Sequence, residues 1–371
     1  MKIPEILKSE EEAILVLREL YEQYGYGKFR MSKFEEYDFY VRNKSFLQGD
    51  DILTFNDLSG KLLALKPDIT LSIVKNIGGQ IKGQEKVYYN ENVYRAPTGT
   101  HEFREIMQVG LECIGEVDLF SMGEVVALAA RSLRELSPSY IIDISHIGLM
   151  SGLLEEVLVS EETKEELSRA VAAKNVPEIQ KICRETGIDN EVEERFTTLA
   201  GIYGPFDIAI KEAAKLAVNE TTKAALTELM DTIEMIKAID RTVNINLDFS
   251  IINDMRYYNG IVFQGFIEGI SAIVLSGGRF DKLLQRLGKK GAAIGFAVYL
   301  GVVDRYRESK RDYDVDVLLI YEKGTNPQQV AGKVKELQEN GKSVAARTAE
   351  TKKIRYRRKM RLTDKGVMKS E

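Results

Sequence analysis

The chain has 371 residues, of which 44% are hydrophobic and 29% are charged. This is the composition of a soluble globular protein, and the length suits one large domain with smaller attachments. The net charge of −5 argues against a general nucleic-acid binder, which needs a basic surface to displace the counterions of phosphates.

Two features set the expected compartment. Cys113 and Cys183 are far apart and too few for a disulfide framework, which favours a reducing environment. The acidic N-terminal stretch does not predict a signal peptide, and no apolar run approaches the roughly 18 residues of a membrane span. We therefore expect a cytoplasmic protein that makes no membrane contact.

Histidine-based metal chemistry has few candidates in this chain. His101 and His146 are its two histidines, and they stand in neither HxxxH nor HxH spacing. Zinc sites usually need several nitrogen or sulfur ligands brought together. We expect neither a metal nor another cofactor.

The first part of the chain predicts both helices and strands. The apolar spacing of residues 10–24 predicts an amphipathic helix. Two strand-like runs flank Leu-Ser-Gly within residues 51–67 and predict a hairpin. Beyond it, the pattern predicts a helix over 68–79, a strand, a long polar loop and a strand over 86–115, a helix over 118–136 and a strand over 140–148.

The pattern then changes twice and predicts three regions. Residues 150–240 favour helices throughout, without strand signals, and strands return afterwards with short connections. We predict a core formed by residues 1–149 and 241–308, a helical insertion at 150–240 and a small α/β unit at 309–371. Because the connections are short, the core strands are expected to be antiparallel and packed with a few helices.

The chain carries a strongly basic segment near its end. Residues 352–361, KKIRYRRKMR, contain seven basic residues in ten. Runs of like charge usually stay solvated. We predict a disordered basic tail here.

Five segments, in the same order, resemble the catalytic domain of histidyl-tRNA synthetase, a class II aminoacyl-tRNA synthetase. They are LALKPDIT (63–70), FREIMQVGLECIG (103–115), RYYNGIVFQGF (256–266), SGGRFDKLL (276–284) and AAIGFAVYLG (292–301). They correspond to that family's Leu-Arg-Pro-Glu-Gly-Thr segment, the second half of motif 2, the histidine-specific strand, the glycine-rich loop and motif 3. The resemblance implies an α+β fold with a class II synthetase-like antiparallel sheet flanked by helices. It also implies that the last unit is a truncated version of the family's C-terminal α/β domain.

The resemblance implies a histidine-binding pocket. The family positions that hold the ammonium and the imidazole of histidine fall here on Asp68, Thr70, Gln108, Glu112 and Tyr258, with Tyr257 completing the tyrosine pair. An ammonium needs acceptors and negative charge, and an imidazole needs partners for two different ring nitrogens. A structural alternative stays open for some of these residues. Thr70 could cap the helix that follows Pro67, and Gln108 or Tyr258 could be ordinary sheet residues.

The resemblance also shows what amino-acid activation would lack. Adenylate formation needs positive charge around the transferring phosphate. The family's arginine positions hold Asn253 and Val302 here. Arg95 stands at the motif 2 arginine and Arg256 replaces an aspartate, and both are candidates to contact a ligand carboxylate or phosphate. We expect no catalytic residue.

A synthetase-like chain with an amino-acid pocket and an incomplete ATP site resembles the regulatory subunits of ATP phosphoribosyltransferase. That resemblance implies a short-form catalytic subunit as partner, histidine as feedback effector and a homodimer core within a hetero-oligomer, with no nucleic acid. Two alternatives remain: a histidyl-tRNA synthetase of unusual form, and a free-standing histidine-binding module. Motif 1 carries Ser32 where synthetases keep a proline, which leaves the details of the dimer open.

Overall fold

The computed structural model describes residues 9–47, 51–78, 81–96, 102–251, 257–303, 313–350, 353–363 and 366–369. The chain divides into two compact units, Met1–Asp304 and Arg305–Glu371. Within the described residues, the first unit contains two sheets and two hydrophobic clusters, and the second unit contains one of each. The finer division of the first unit into a core and an inserted helical domain stays a prediction.

A nine-stranded sheet organises the first unit. Its strands in chain order are β1 (Gly27–Lys28), β5 (Gln84–Arg95), β6 (Arg104–Gly115), β7 (Tyr140–His146), β8 (Tyr203–Pro205), β9 (Ile245–Asp248), β10 (Ile261–Ile267), β11 (Leu275–Arg279) and β12 (Ala292–Tyr299). Across the sheet the order is β1-β5-β6-β12-β11-β10-β7-β9-β8. Neighbouring strands are antiparallel except in the pairs β1–β5 and β7–β9. The predicted antiparallel architecture is therefore confirmed.

The helices of the first unit follow most of the predicted positions. They are α1 (Ser9–Gln23), α2 (Tyr37–Arg42), α3 (Ile69–Asn76), α4 (Leu119–Leu136), α5 (Ile147–Glu155), α6 (Glu161–Ala172), α7 (Val176–Thr186), α8 (Asn190–Gly201), α9 (Phe206–Ala213), α10 (Glu220–Ile239) and α11 (Asp281–Arg286). The helices predicted over 10–24, 68–79 and 118–136 are confirmed. Within the described residues, no helix combines the length and apolar character needed to cross a membrane.

Two local predictions need correction. Residues 150–240 contain β8, which pairs with β9, so the segment is not purely helical. Three residues are too few to show an alternating pattern. The polar loop predicted within 86–115 is also shorter than expected, because β5 and β6 pair along their full twelve residues, from Gln84 opposite Gly115 to Arg95 opposite Arg104.

A small three-stranded sheet is formed by segments that precede α3 in the chain. It contains β2 (Phe34–Glu36), β3 (Thr54–Asn56) and β4 (Leu62–Leu65) in the order β2-β4-β3. The antiparallel pairing of β3 with β4 confirms the hairpin predicted over 51–67. The chain leaves β4 through Pro67 and enters α3 at once, which brings the start of that helix close to the main sheet.

Strand β6 shows why the main sheet has a core face and a site face. Val109 and Leu111 are buried in the main hydrophobic core together with residues of α1 and α4. Successive strand residues point to opposite faces, so Gln108 and Glu112 project away from that core. The polar residues of β6 are therefore displayed together on one side.

The second unit forms a four-stranded sheet and corrects the predicted disordered tail. Its elements are β13 (Val315–Tyr321), α12 (Pro327–Glu339), β14 (Val344–Arg347), β15 (Tyr356–Thr363) and β16 (Gly366–Lys369). The order is β14-β13-β15-β16, with β15 parallel to β13 and antiparallel to β16. Met360 and Leu362 on β15 are buried with Val317 and Leu319. The basic segment thus extends into a strand in which exposed basic residues alternate with apolar ones, and the apolar side chains face a core.

Candidate functional site

A pocket on the site face of the main sheet gathers seven of the eight residues predicted to bind a ligand. It is lined by Asp68, Thr70, Arg95, Gln108, Glu112, Tyr257 and Tyr258 among others. Arg256, the eighth, lies outside the described residues. The pocket combines segments from the start of α3, from β5 and β6, and from the chain that leads into β10.

Asp68 caps a helix and also lines the pocket. Its Oδ1 accepts a hydrogen bond from the backbone N–H of Leu71 at 2.7 Å and so caps α3. Asp68, and not Thr70, is therefore the capping residue of this helix. Its Oδ2 lies 3.5 Å from Nη2 of Arg95, whose Nε donates to the backbone oxygen of Pro67 at 2.5 Å. Burial raises the pKa of Asp68, and the charge of Arg95 opposes that rise.

Glu112 is the most deeply enclosed acid of the pocket. Its residue surface is 1% exposed, and Oε1 accepts a hydrogen bond from the hydroxyl of Thr70 at 2.7 Å. Oε2 is buried and has no hydrogen-bond partner among the residues that the structure describes. Burial raises the pKa of Glu112 well above its ordinary value; the nearby charge of Asp68 adds to the rise and the bond from Thr70 opposes it.

Two tyrosines form one wall of the pocket. The rings of Tyr257 and Tyr258 lie edge to face with their centroids 4.7 Å apart. The ring of Tyr258 packs against Gly278, where an added Cβ would come within 2.7 Å of its Cδ1. Ser276, on the same side of β11 as Gly278, also lines the pocket. A small residue at Gly278 is thus what lets Tyr258 line the pocket.

Several pocket residues were not predicted from the sequence. They are Tyr89, Ser276, Phe280, Gly295, Phe296, Ala297 and Tyr299. Gly295 stands opposite Glu112 and Tyr299 stands opposite Gln108 in the pairing of β12 with β6. A Cβ at Gly295 would overlap Oε2 of Glu112. The run of small residues in β11 and β12 was the signal available, but its meaning depends on the register between strands.

The pocket chemistry suits a small molecule that carries both charges. It holds two buried carboxyl groups, one guanidinium, one amide and several phenols. Among the described residues, no group of three or more His, Cys, Asp or Glu side chains is placed to hold a metal ion. His146, one of the two histidines, lies elsewhere: its Nδ1 accepts from the N–H of Gly148 at the start of α5, and its Nε2 contacts Glu228 at 3.2 Å. His101 is outside the described residues.

Comparison with known proteins gives the family. The family model described as histidyl-tRNA synthetase matches residues 3–303. This chain belongs to the histidyl-tRNA synthetase family. An ATP phosphoribosyltransferase regulatory subunit of Bacillus cereus (strain AH187) is 29% identical over 345 residues, which cover 90% of this chain and 81% of that protein. The predicted resemblance to such subunits is confirmed.

Solved structures share this fold. The crystal structure of an ATP phosphoribosyltransferase regulatory subunit/histidyl-tRNA synthetase from Bacillus halodurans has a TM-score of 0.72 at 25% identity and covers 91% of this chain and 88% of its own. An ATP phosphoribosyl transferase (HisG:HisZ) complex from Thermotoga maritima contains a chain with a TM-score of 0.61 at 19% identity, covering 78% and 96%. The second likeness shows the fold alone. Together they confirm the predicted class II synthetase-like fold class.

Proposed function

We propose that this chain is a non-catalytic regulatory subunit of ATP phosphoribosyltransferase in the first step of histidine biosynthesis. It activates a short-form catalytic subunit and binds histidine for feedback inhibition. Relatives that match most of the chain are regulatory subunits of ATP phosphoribosyltransferase by name, which supports the subunit role. The resemblance to those subunits supports a soluble, cytoplasmic protein with a homodimer core inside a hetero-oligomer.

The histidine part of the proposal is supported by one feature above all: the pocket presents a buried carboxyl oxygen, Oε2 of Glu112, beside a charged pair formed by Asp68 and Arg95. The pair offers an acceptor for an α-ammonium and a donor for an α-carboxylate. Glu112 and Tyr258 then remain for the two nitrogens of an imidazole ring. An amino acid with a polar ring satisfies each of these groups.

Catalysis is not part of the proposal because two positions that carry arginine in the resembling synthetases hold other residues in this sequence. Val302 and Asn253 stand where the resembling synthetases carry arginine. Removing a donor that stabilises a developing charge typically costs orders of magnitude in rate. The pocket therefore binds an amino acid without the groups that would activate it.

Feedback requires that histidine favour one arrangement of the complex over another. A ligand shifts an equilibrium between two states only by its difference in affinity for them. The catalytic subunit would respond to the state that histidine favours, and by linkage its presence would change the affinity of this chain for histidine by the same factor. This reciprocity gives a binding test that needs no turnover.

The decisive experiment measures phosphoribosyl transfer from phosphoribosyl pyrophosphate to ATP by a short-form catalytic subunit, with and without this chain, across a histidine titration. We expect activation by the chain and inhibition by histidine. Glu112→Ala should keep the activation and lose most of the inhibition, whereas Glu161→Ala, at an exposed site on α6, should change neither. An unchanged rate at every histidine concentration would contradict the regulatory role.

A second candidate function is a histidyl-tRNA synthetase of unusual form, which the matching family model and the double name of the Bacillus halodurans structure favour. Histidine-dependent exchange between ATP and pyrophosphate tests it directly. Exchange by the purified chain would establish the synthetase. Histidine binding without exchange and without any effect on the catalytic subunit would instead indicate a free-standing histidine-binding module.

A further inference from the structure

The hydrogen bond between Thr70 and Glu112 fixes how the Glu112 carboxyl group is presented. Thr70 donates its hydroxyl hydrogen to Oε1, so that oxygen acts as an acceptor. Any proton carried by the carboxyl group then belongs on Oε2. This is the oxygen that has no partner within the described residues and that packs against Gly295, which also lines the pocket.

The charges around Glu112 favour that proton. The groups that face it are Asp68 with its partner Arg95, and the phenols of Tyr89, Tyr257, Tyr258 and Tyr299. Arg95 contacts Asp68 and the backbone oxygen of Pro67, and no ion pair of Glu112 forms among the described residues. Burial raises the pKa of Glu112 well above its ordinary value, and the negative charge of Asp68 raises it further.

We propose that Glu112 is protonated in the unliganded pocket and offers its O–H at Oε2 to an unprotonated ring nitrogen, so that the pocket selects histidine with a neutral imidazole. The inference rests on the proposed histidine-binding function. On binding, the single proton of Glu112 becomes shared between Oε2 and the ring nitrogen in one hydrogen bond. No proton is taken from solvent or released to it, and the other ring nitrogen keeps its own N–H.

The opposite arrangement makes different predictions. In that arrangement an ionised Glu112 pairs with an imidazolium ring, and near pH 7.5 the ring must first take a proton from solvent because free imidazole has a pKa of about 6.5. Binding would then consume up to one proton and would tighten on acidification. The two arrangements therefore differ in both proton count and pH trend.

Calorimetric titration of the full chain with histidine between pH 6 and 8, in buffers of different ionisation enthalpy, separates them. We expect a net proton exchange near zero at pH 7.5 to 8. Affinity should fall by up to about tenfold per pH unit below about 6.5, since the free ring becomes protonated there. Uptake approaching one proton at pH 7.5, with affinity rising toward pH 6, would overturn the inference and leave the proposed function standing. Absence of histidine binding at every pH would overturn both.

Substitutions at Glu112 provide an independent readout. In Glu112→Gln the amide N–H can replace the carboxyl O–H while its oxygen still accepts from Thr70, so we expect affinity within about tenfold of the wild type. In Glu112→Ala both partners are lost, and we expect a loss of about a hundredfold. Unchanged unfolding midpoints would show that both variants fold. Equal losses for the two variants would overturn the inference.

A ligand whose ring does not titrate distinguishes the histidine ring from Asp68 as the source of the pH dependence. Burial also raises the pKa of Asp68, so its protonation could weaken binding in acid. A histidine analogue with a weakly basic 1,2,4-triazole ring should bind with nearly constant affinity between pH 6 and 8. The same decline for the analogue as for histidine would assign the titration to Asp68 and overturn the inference.

Discussion

Arg95 reaches the carboxylate of Asp68 at 3.5 Å while the other oxygen of that carboxylate caps α3 through Leu71. One side chain thus sets the start of a helix and supplies the negative charge of the pocket. The two roles depend on different properties, because capping needs an acceptor oxygen and ligand binding needs charge. Substitutions can therefore separate them.

Asp68→Asn should keep the cap and remove the charge. Asparagine is as good a capping residue as aspartate, so any change in the free energy of unfolding should come from the lost contact with Arg95 and not from the cap. Loss of the charge should weaken histidine binding by about tenfold or more, as expected for a charged hydrogen bond to an ammonium worth roughly 1.5–3 kcal/mol. Asp68→Ala should lose the cap as well, at an added cost of about 1 kcal/mol in stability. Chemical denaturation and calorimetry on both variants test this. Equal stability of the two variants would contradict the capping role.

Gly278→Ala should displace the ring of Tyr258 from its position in the pocket wall. The added methyl would lie 2.7 Å from the ring of Tyr258 and 2.8 Å from the backbone oxygen of Ile261, and only the ring can move away. Overpacking of this kind costs about 1–3 kcal/mol. We expect a lower unfolding midpoint and weaker histidine binding. Gly201→Ala is the matched control, because a Cβ there meets nothing within 4 Å. Equal effects of the two substitutions would contradict the assigned contact.

Some of the pocket residues could be predicted from the sequence, because their positions follow from local sequence patterns. Gln108 and Glu112 share one face of a strand by their spacing, and the order of the five family-like segments placed Asp68, Thr70 and the tyrosine pair beside them. Tyr299 and Ser276 could not be predicted in the same way. They enter the pocket through the register of β12 with β6 and of β11 with β12, and pairing of residues far apart in the chain follows from folding as a whole.

The basic segment near the end shows where composition misleads. Because seven residues in ten are basic, the alternation of buried and exposed residues is hard to recognise in this segment. Met360 and Leu362 face inward and Arg361 faces outward. Long basic side chains keep their charge in water while the strand pairs through its backbone. The charge of the segment predicted the exposed residues of β15 correctly, but it gave no information about the buried ones. The sequence offered Thr70 as a possible cap of α3, but the capping residue is Asp68, two positions earlier.

Asp143 should make the fold less stable at neutral pH than in mild acid. Burial raises the pKa of Asp143 to about 6, with the neighbouring Asp248 adding to the rise. The unfolded chain ionises near pH 4, so between about 4 and 6 the folded state holds the extra proton and stability falls as pH rises. Above about 6 the cost is complete. Asp143→Asn should therefore stabilise the protein at pH 7.5 by about 1–2 kcal/mol, allowing for solvent screening, and have little effect at pH 4.

The control for Asp143 is its neighbour Asp248, whose charge is compensated. Asp248 pairs with Lys174 at 3.1 Å and accepts from the backbone N–H of Ser250 at 2.8 Å. Asp248→Asn should leave Lys174 without its partner and lower stability at pH 7.5. Urea denaturation of both variants at pH 4 and 7.5 measures the difference. Destabilisation by Asp143→Asn at pH 7.5 would show that its charge is favourable in the fold.

Met360→Ala should destabilise the second unit without affecting the first. Met360 is 7% exposed and belongs to a small core with Val317, Leu319 and Leu362, where the loss of one side chain cannot be offset by repacking. A buried methionine cut to alanine costs about 2–5 kcal/mol, which is a large share of the stability of so small a unit. Hydrogen exchange should rise throughout β13 and β15 and stay unchanged in β6. Arg361→Ala, on the exposed side of the same strand, is the matched control and should leave exchange unaltered. Fast exchange of β15 in the wild-type protein would instead show that the basic segment is solvated and that the strand assignment is wrong.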